Sequence, residues 1–587
     1  MMQYRRILRL CAVVCVLALP ACGGGGGSST PAPAAVVTPP PAPPPAKPPT
    51  SNSTASPYVI DDETEAATFL AQATFGASQA EIDAAVGQDR VDWLKAQFAA
   101  SPTLYLPTLK DRIDNGETLA KSAHTDLFWN AAIANNDQLR QRMVFALSQI
   151  VVVSESQLHY GPASMAQYMD VLSRGAFGNY RDVLEEVTYT PAMAEFLTYL
   201  RNRKADSNTG RQPDENYARE IMQLFTIGLV ELQQNGEPRL GSNGMPINTY
   251  TNDDVVGLSH VFTGLALQGS GFYATDITPE SVYSRLVIYP EYHSADAKQF
   301  LGITIPAGTG AAASIDRALD TLVAHQNSAP FISRQLIQRF TQSDPSPAYV
   351  QRVAQAFAAG RFTTETGVTF GAGRRGDLKA TIAAILLDED AMDRGNDAET
   401  VGKVREPILR FLHWARAFNV YPVTAENEKS LVDTSNPSNA LGQHPFRAAS
   451  VFNFYRPGYV APKTETGDDG LTVPEFQVSH EGSRVGYVNF MAWYVMDKTA
   501  VKTAGTTSFT PDYEYEKSLA DVPADLVDHL DELLTFNRMS DDTKELIIDV
   551  VDDMPLGTGS TRDNDLFERV GVAILMTVTA PEFSVMY

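Results

Sequence analysis

From Asp61 to the C-terminus the chain runs for about 530 residues with apolar side chains recurring every three to four positions and no second Pro/Gly-rich linker to divide it. That length exceeds what one hydrophobic core usually fills, so the expectation is one large helical body with several subcores. Ser78-x-x-Glu81 is a capping box, and Leu139, Met143, Leu147 and Ile150 recur at three and four through 136–154. The same period predicts helices over 163–174, 179–189, 314–326, 329–342, 346–358, 377–388, 402–418, 523–536 and 563–578. The stretch 233–302 differs. Asn235-Gly236 and Asn243-Gly244 are turn dipeptides flanked by short alternating segments, which predicts a small β-hairpin excursion there. The expected fold class is mainly α.

The N-terminus follows another logic. Arg5, Arg6 and Arg9 precede the apolar run Leu10–Leu19, and Pro20-Ala21 precedes Cys22, the order of a bacterial export signal over 1–21 that is too short to stay as a membrane span. Leu19 and Ala21 meet the lipobox conditions ahead of Cys22, so lipidation of Cys22 and attachment to a lipid bilayer are expected. Gly23, in place of an aspartate, resembles lipoproteins sorted to the outer membrane. Residues 22–57 are rich in Gly, Ser and Pro and form a stiff polyproline-like tether, leaving 58–587 as the helical domain. The expected location is the bacterial cell envelope.

Composition removes whole classes of chemistry. All 3 cysteines fall within the first 22 residues, so the body has no thiol for a disulfide, a thiolate zinc site, an iron–sulfur cluster or a cysteine nucleophile. With 46 Lys and Arg against 70 Asp and Glu the formal net charge is −24, and losing a leader that carries three arginines and no acid makes the body more acidic still. Such a surface repels phosphates, and no nucleic-acid partner is expected. His480-Glu481 continues as Gly-Ser-Arg, so the zinc-protease helix is missing, and neither a phosphate-cradling Gly-x-x-x-x-Gly-Lys nor a Gly-x-Ser-x-Gly elbow occurs. Gly257-Leu258-Ser259-His260 lacks the second glycine of such an elbow. Asp253 and His260 lie seven residues apart on one helix face, about 10 Å, too far for direct orientation of the imidazole. Thr251-x-x-Asp254 reads as a variant capping box.

The densest polar cluster is Gln212 to Gly228. At helical spacing Tyr217, Ile221, Leu224, Phe225 and Gly228 make one stripe, and Asn216, Arg219, Glu220 and Gln223 another. Asp214 and Glu215 suit a helix N-terminus, and Glu215 can pair with Arg219 at i,i+4. An ordinary capped amphipathic helix explains this pattern. If the polar stripe instead faces a pocket, Glu215 and Glu220 become acid/base candidates with Arg219 beside them. Asn202, Asp206, Asn208, Asp214 and Glu215 offer hard oxygens of the kind calcium takes, but the rest of an EF-hand loop is missing, so no metal and no cofactor is assigned.

Several ordered blocks carry a resemblance. Leu70 to Gly76, Gln138 to Arg142 through Ser148-Gln149, Phe177 to Arg181, Asp214 to Glu220, Phe262-Thr263-Gly264, Lys403-x-Arg405-Glu406-Pro407, Val451 to Pro457, Pro474-Glu475-Phe476 and Ala580 to Phe583 together resemble the bacterial domain-of-unknown-function 1800 family, over about 65–587. The resemblance implies a large, mostly helical, exported protein without an assigned activity, whose gene often neighbours that of an exported sulfatase-like or phosphatase-like protein. Many members have Asn where this chain has Asp214, and several have His near Phe225. No catalytic residue is carried over. The polar blocks still single out Asn179, Arg181, Glu215, Asn216, Arg219, Glu220, Asp254, Arg405, Glu406, Asn453 and Arg456, whether as a pocket or as a buried hydrogen-bond network.

Two functions are expected from this reading. One is an exported, lipid-anchored binding or scaffold body for an exported partner, with the sulfatase-like neighbour as the candidate. The other is a hydrolase or lyase acting on an extracellular polymer, with Glu215 or Glu220 as acid/base.

Overall fold

Local capping sets where the first helices start in the computed structural model, which describes residues 56–392, 402–422, 433–496 and 509–586. Asp62 accepts from the Glu65 amide at 2.8 Å and opens the helix Glu63–Ala73, and Ser78 with Glu81 closes the expected capping box ahead of Gln79–Ala85. The leader 1–21, Cys22 and the tether up to Ala55 lie outside the described residues.

Helices dominate: about 52 % of the structure is helical, and the sheets are two-stranded ribbons of two or three residues per strand, so the class is mainly α. Gln138–Ser148 packs against Pro162–Gly175; Ser328–Phe340 packs against Pro347–Ala359, which lies in turn on Leu378–Leu386. Two helices, Gln138–Ser148 and Pro407–Ala417, are buried along their entire length. A helix buried on all sides is normally apolar all round. These two carry Arg140, Gln141, Arg142, Arg410 and Arg416 inward, and each such group needs an internal partner.

The hairpin excursion is present. Bridges Leu232↔Pro238 and Leu240↔Pro246 close over Asn235-Gly236 and Asn243-Gly244, whose glycines take the left-handed φ values of 82° and 75° that these turns demand. Further on, Leu265–Ala266 pairs with Val287–Ile288, and Lys298–Phe300 with Ile303–Ile305. The last ribbon matters most for the centre of the body: Val585–Met586 pairs with Lys403–Val404, which brings the C-terminal segment against the start of the buried helix Pro407–Ala417.

Among the described residues no helix is long and apolar enough to cross a membrane.

A cavity lined by two arginines and no carboxylate

Part of this inward polarity, Arg142 among it, collects into a network around Glu406 and Glu475. Glu406, fully buried at the N-cap of Pro407–Ala417, receives hydrogen bonds on Oε2 from Gln149 Nε2 at 2.8 Å, from the Tyr455 hydroxyl at 3.0 Å and from Gln443 Nε2. Lys403 Nζ donates to Glu475 Oε1 at 2.7 Å and to the Gln338 carbonyl at 2.7 Å, and Ser343 Oγ donates to Glu475 Oε2 at 2.9 Å. Arg142 donates to the Arg339 carbonyl, and burial pushes its guanidinium down to about 10. Arg142, Arg339 and Lys403 are three sealed cations against two sealed carboxylates, Glu406 and Glu475. One positive charge is in excess.

That excess borders a cavity. A space of about 410 Å³ opens where the ends of Gln138–Ser148 and Asn216–Gln223, the helix Ser328–Phe340 and the loop 451–458 meet. Its accessible wall is mostly apolar, and the polar side chains that line it are Arg339, Arg456, Gln149, Gln223, Gln335, Asn453 and Tyr455; on a chain with 70 acidic residues, no Asp or Glu is among them. Arg339 is 1 % exposed, and its guanidinium makes no side-chain hydrogen bond among the described residues; Nε and Nη1 are buried and partnerless. The guanidinium lies 4.7 Å from the centroid of the Tyr455 ring. Gln335, one turn earlier on the same helix face, is 4 % exposed with a partnerless Nε2, and Asn453 Nδ2 is likewise unpaired. Asn453 holds a left-handed backbone at φ 62°, a conformation Asn tolerates better than most side chains, and this turns the loop over the cavity. Arg456 stands at the exposed rim with its guanidinium 5.3 Å from the Phe452 ring. Leu229 and Phe452, 56 % and 40 % exposed, complete an apolar mouth.

A second cavity, of about 520 Å³, contrasts with it. It is lined by Arg416, but that guanidinium is saturated by the carbonyls of Gly76 and Ile133 and by Glu81, each at 2.6 Å.

The residues singled out from sequence divide among three settings. Asn453 and Arg456 line the first cavity, and so does Gln223 of the polar stripe. Glu406 and Arg405 are sealed: Arg405 Nε donates to the Phe583 carbonyl at 3.0 Å, its guanidinium sits 4.3 Å from the Phe583 ring, and burial pushes it down to about 9. The others do structural work at helix ends. Asn179 caps Tyr180–Thr188 through the Arg181 amide at 3.0 Å and donates to the Arg375 carbonyl at 2.9 Å. Arg181 ties that helix to Ala311–Ala324 through Asp316 and Asp320, both at 2.9 Å. Asp254 closes the capping box with Thr251 and also accepts from the Leu301 amide at 2.7 Å.

The 212–228 cluster forms a shorter helix than its period implies. It runs Asn216–Gln223 and stops because the amides of Leu224 and Phe225 both turn back to the Glu220 carbonyl, while Gly228 takes φ 73°. Asp214 Oδ1 caps it through the Asn216 amide at 2.8 Å. Glu215 pairs with Arg219 at 3.1 Å, both more than a third exposed, and Asn216 reaches Thr198 Oγ1 at 3.4 Å. Glu220 is 6 % exposed with Oε2 unpaired, and burial, opposed by Arg219, raises its carboxyl above the usual range. Neither Glu215 nor Glu220 lines the cavity. Near 202–215 the oxygens bond inward: Asn202 Oδ1 accepts from the Asp214 amide at 2.9 Å and Asp206 Oδ1 from the Asn208 amide at 3.0 Å. Among the described residues no group of three or more His, Cys, Asp or Glu is placed to hold a metal ion. His260 Nδ1 meets Ser294 Oγ at 3.0 Å, and Ser259 Oγ donates to the Val256 carbonyl.

Sequence reasoning passed over Arg339 and Gln335. Their signal was present, since Phe331, Gln335 and Arg339 recur at four and so set an amide and a guanidinium on the same helix face as a large aromatic.

No curated protein and no solved structure matches the chain. One family model does, the one described as a protein of unknown function, DUF1800, over residues 68–585; the match takes in both Arg339 and Tyr455, and by its extent the chain belongs to that family.

Proposed function

We propose that this protein is an exported, lipid-anchored envelope protein whose helical body binds an anionic ligand in the Arg339 cavity. The observation that carries the reading is the partnerless guanidinium of Arg339 on the wall of a cavity free of carboxylates. An uncompensated buried cation is costly, and a site that holds one gains when a negative ligand arrives to pair with it. The leader, Cys22 and the tether 22–57 support export and anchoring by their sequence pattern alone. No acid/base role is assigned to Glu215 or Glu220, which stand away from this cavity.

The test uses the mature full-length chain in detergent, titrated with acetate, benzoate, glucuronate and phosphate against neutral glucose, with Tm as the readout. At least one anion is expected to raise the Tm of the wild type and to leave that of Arg339→Met unmoved. No response to any anion, or an equal response from the variant, overturns the reading.

A further inference from the structure

We infer that the ligand of the Arg339 cavity is a singly charged carboxylate carried on a hydroxylated ring, a sugar acid of the hexuronate kind. This rests on the anion-binding reading above and narrows it by four observations.

The first is geometric. Arg339 presents a planar guanidinium whose Nε and Nη1 lack partners, and the parallel N–H groups of the Nη1–Nη2 edge of such a group match the two coplanar oxygens of a carboxylate. The usual donors for phosphate, the free N–H groups of a helix N-terminus, do not line this cavity. Phe331, one turn into its helix, has its amide bonded to the Asn327 carbonyl at 2.9 Å.

The second is electrostatic. Gln149 and Ile150 follow the C-terminus of Gln138–Ser148, Gln223 ends Asn216–Gln223 with Leu224 as its C-cap, and Arg339 lies in the last turn of Ser328–Phe340. Three helix C-termini therefore meet at the cavity, each with the partial negative charge of about half an electron that a helix dipole leaves there. They offset part of the positive charge of Arg339 and Arg456. What remains favours a singly charged ligand over a phosphate dianion.

The third is the amide set. Gln335 and Asn453 have side-chain N–H groups without partners, and Gln223 Oε1 accepts only from the Tyr250 hydroxyl, at 3.2 Å. A carboxamide offers a donor and an acceptor side by side, which suits a hydroxyl that both gives and takes a hydrogen bond. Gln223 is only half-buried where it lines the cavity, and losing its water against an aliphatic acid would be costly, so a hydroxylated ligand is preferred over a fatty or aromatic acid.

The fourth is shape. The mouth is formed by the exposed faces of Leu229 and Phe452, with Phe331 behind, and the space of about 410 Å³ falls within the range of small-molecule sites. A pyranose ring has an apolar C–H face to set against Phe452 while its carboxylate and hydroxyls point to the floor.

The experiment is isothermal titration of the mature full-length chain in detergent with galacturonate and glucuronate trimers. The comparison ligands are the matched neutral glucose trimer, benzoate and inorganic phosphate. The uronates are expected to bind at least about a hundredfold more tightly than the neutral trimer, which corresponds to the loss of two charge-assisted hydrogen bonds. Arg339→Met is expected to abolish the preference, and Gln335→Leu to weaken uronate binding about tenfold while leaving benzoate unchanged. If Arg339→Met does not fold, Arg456→Gln at the exposed rim serves instead, with an expected loss of several-fold and a shallower salt dependence. Benzoate or phosphate binding as tightly as the uronates overturns this inference and leaves the anion-binding reading standing. Absence of binding by every anion overturns both.

Discussion

The guanidinium of Arg339 stands 4.7 Å from the centre of the Tyr455 ring, and the Tyr455 hydroxyl passes a hydrogen bond at 3.0 Å to the sealed carboxylate of Glu406. The pair joins the cavity to the polar core behind it. Glu406 accepts three hydrogen bonds, all from uncharged side chains, and none from Arg339.

A structural arginine and a ligand-binding one respond oppositely to removal of charge. Arg339→Met keeps the length of the side chain and discards an uncompensated buried cation, so the ligand-free protein is expected to gain about 0.5–2 kcal/mol in denaturant unfolding. A loss of stability of that size would mark Arg339 as part of the core network.

Lys403 and Glu475 are the contrasting case, a fully buried pair with every charge answered. Lys403→Met leaves Glu475 uncompensated and is expected to cost about 3–5 kcal/mol, with much of the loss recovered in Lys403→Met/Glu475→Leu. Chemical unfolding of the two single variants and the double variant measures it.

Acid stability has a local handle at Glu532. Its hydrogen bond with the Glu63 carboxyl, together with burial and the Glu63 charge, pushes it up to about 7. A folded value above the unfolded one of about 4.3 means that this group's contribution is fully present below about pH 4.3 and lost as pH rises through about 7. Glu532→Gln is therefore expected to raise Tm at about pH 8 and to have no effect at about pH 4, as thermal melts across that range would register.

Glu215 and Arg219 form an exposed i,i+4 pair. Glu215→Gln is expected to change stability by less than about 0.5 kcal/mol and to leave ligand binding untouched. A large loss of binding in this variant would return the polar stripe to the functional site.

Cys22→Ser is expected to abolish labelling by a radioactive fatty acid and to release the protein from the membrane fraction of the expressing bacterium. Unchanged labelling and fractionation would contradict the lipid anchor.

How much of this was legible beforehand follows from what each residue depends on. The helices and the hairpins over Asn235-Gly236 and Asn243-Gly244 arise from local period and turn chemistry, and a sequence displays both. Asn453 and Arg456 stood out within one family block, and both line the cavity. Arg339 did not stand out, because its meaning depends on Tyr455, 116 positions further along the chain, and on three helix ends that converge only through tertiary packing. Glu220 and Arg405 show the converse: their residue type suggests chemistry, and both are buried away from the cavity that Arg339 lines. The short helix Asn216–Gln223 ends early for a reason visible only in the backbone, where two amides compete for the Glu220 carbonyl.

The central claim is that Arg339 is held without a partner in order to meet a ligand carboxylate. A crystal structure of the full-length mature protein grown with a galacturonate trimer tests it most directly. The account expects density for a carboxylate in the plane of the Arg339 guanidinium, with two N–H···O distances of about 2.8 Å. An Arg339 fork bonded instead to a protein carboxylate, with the sugar absent or seated elsewhere, would contradict it.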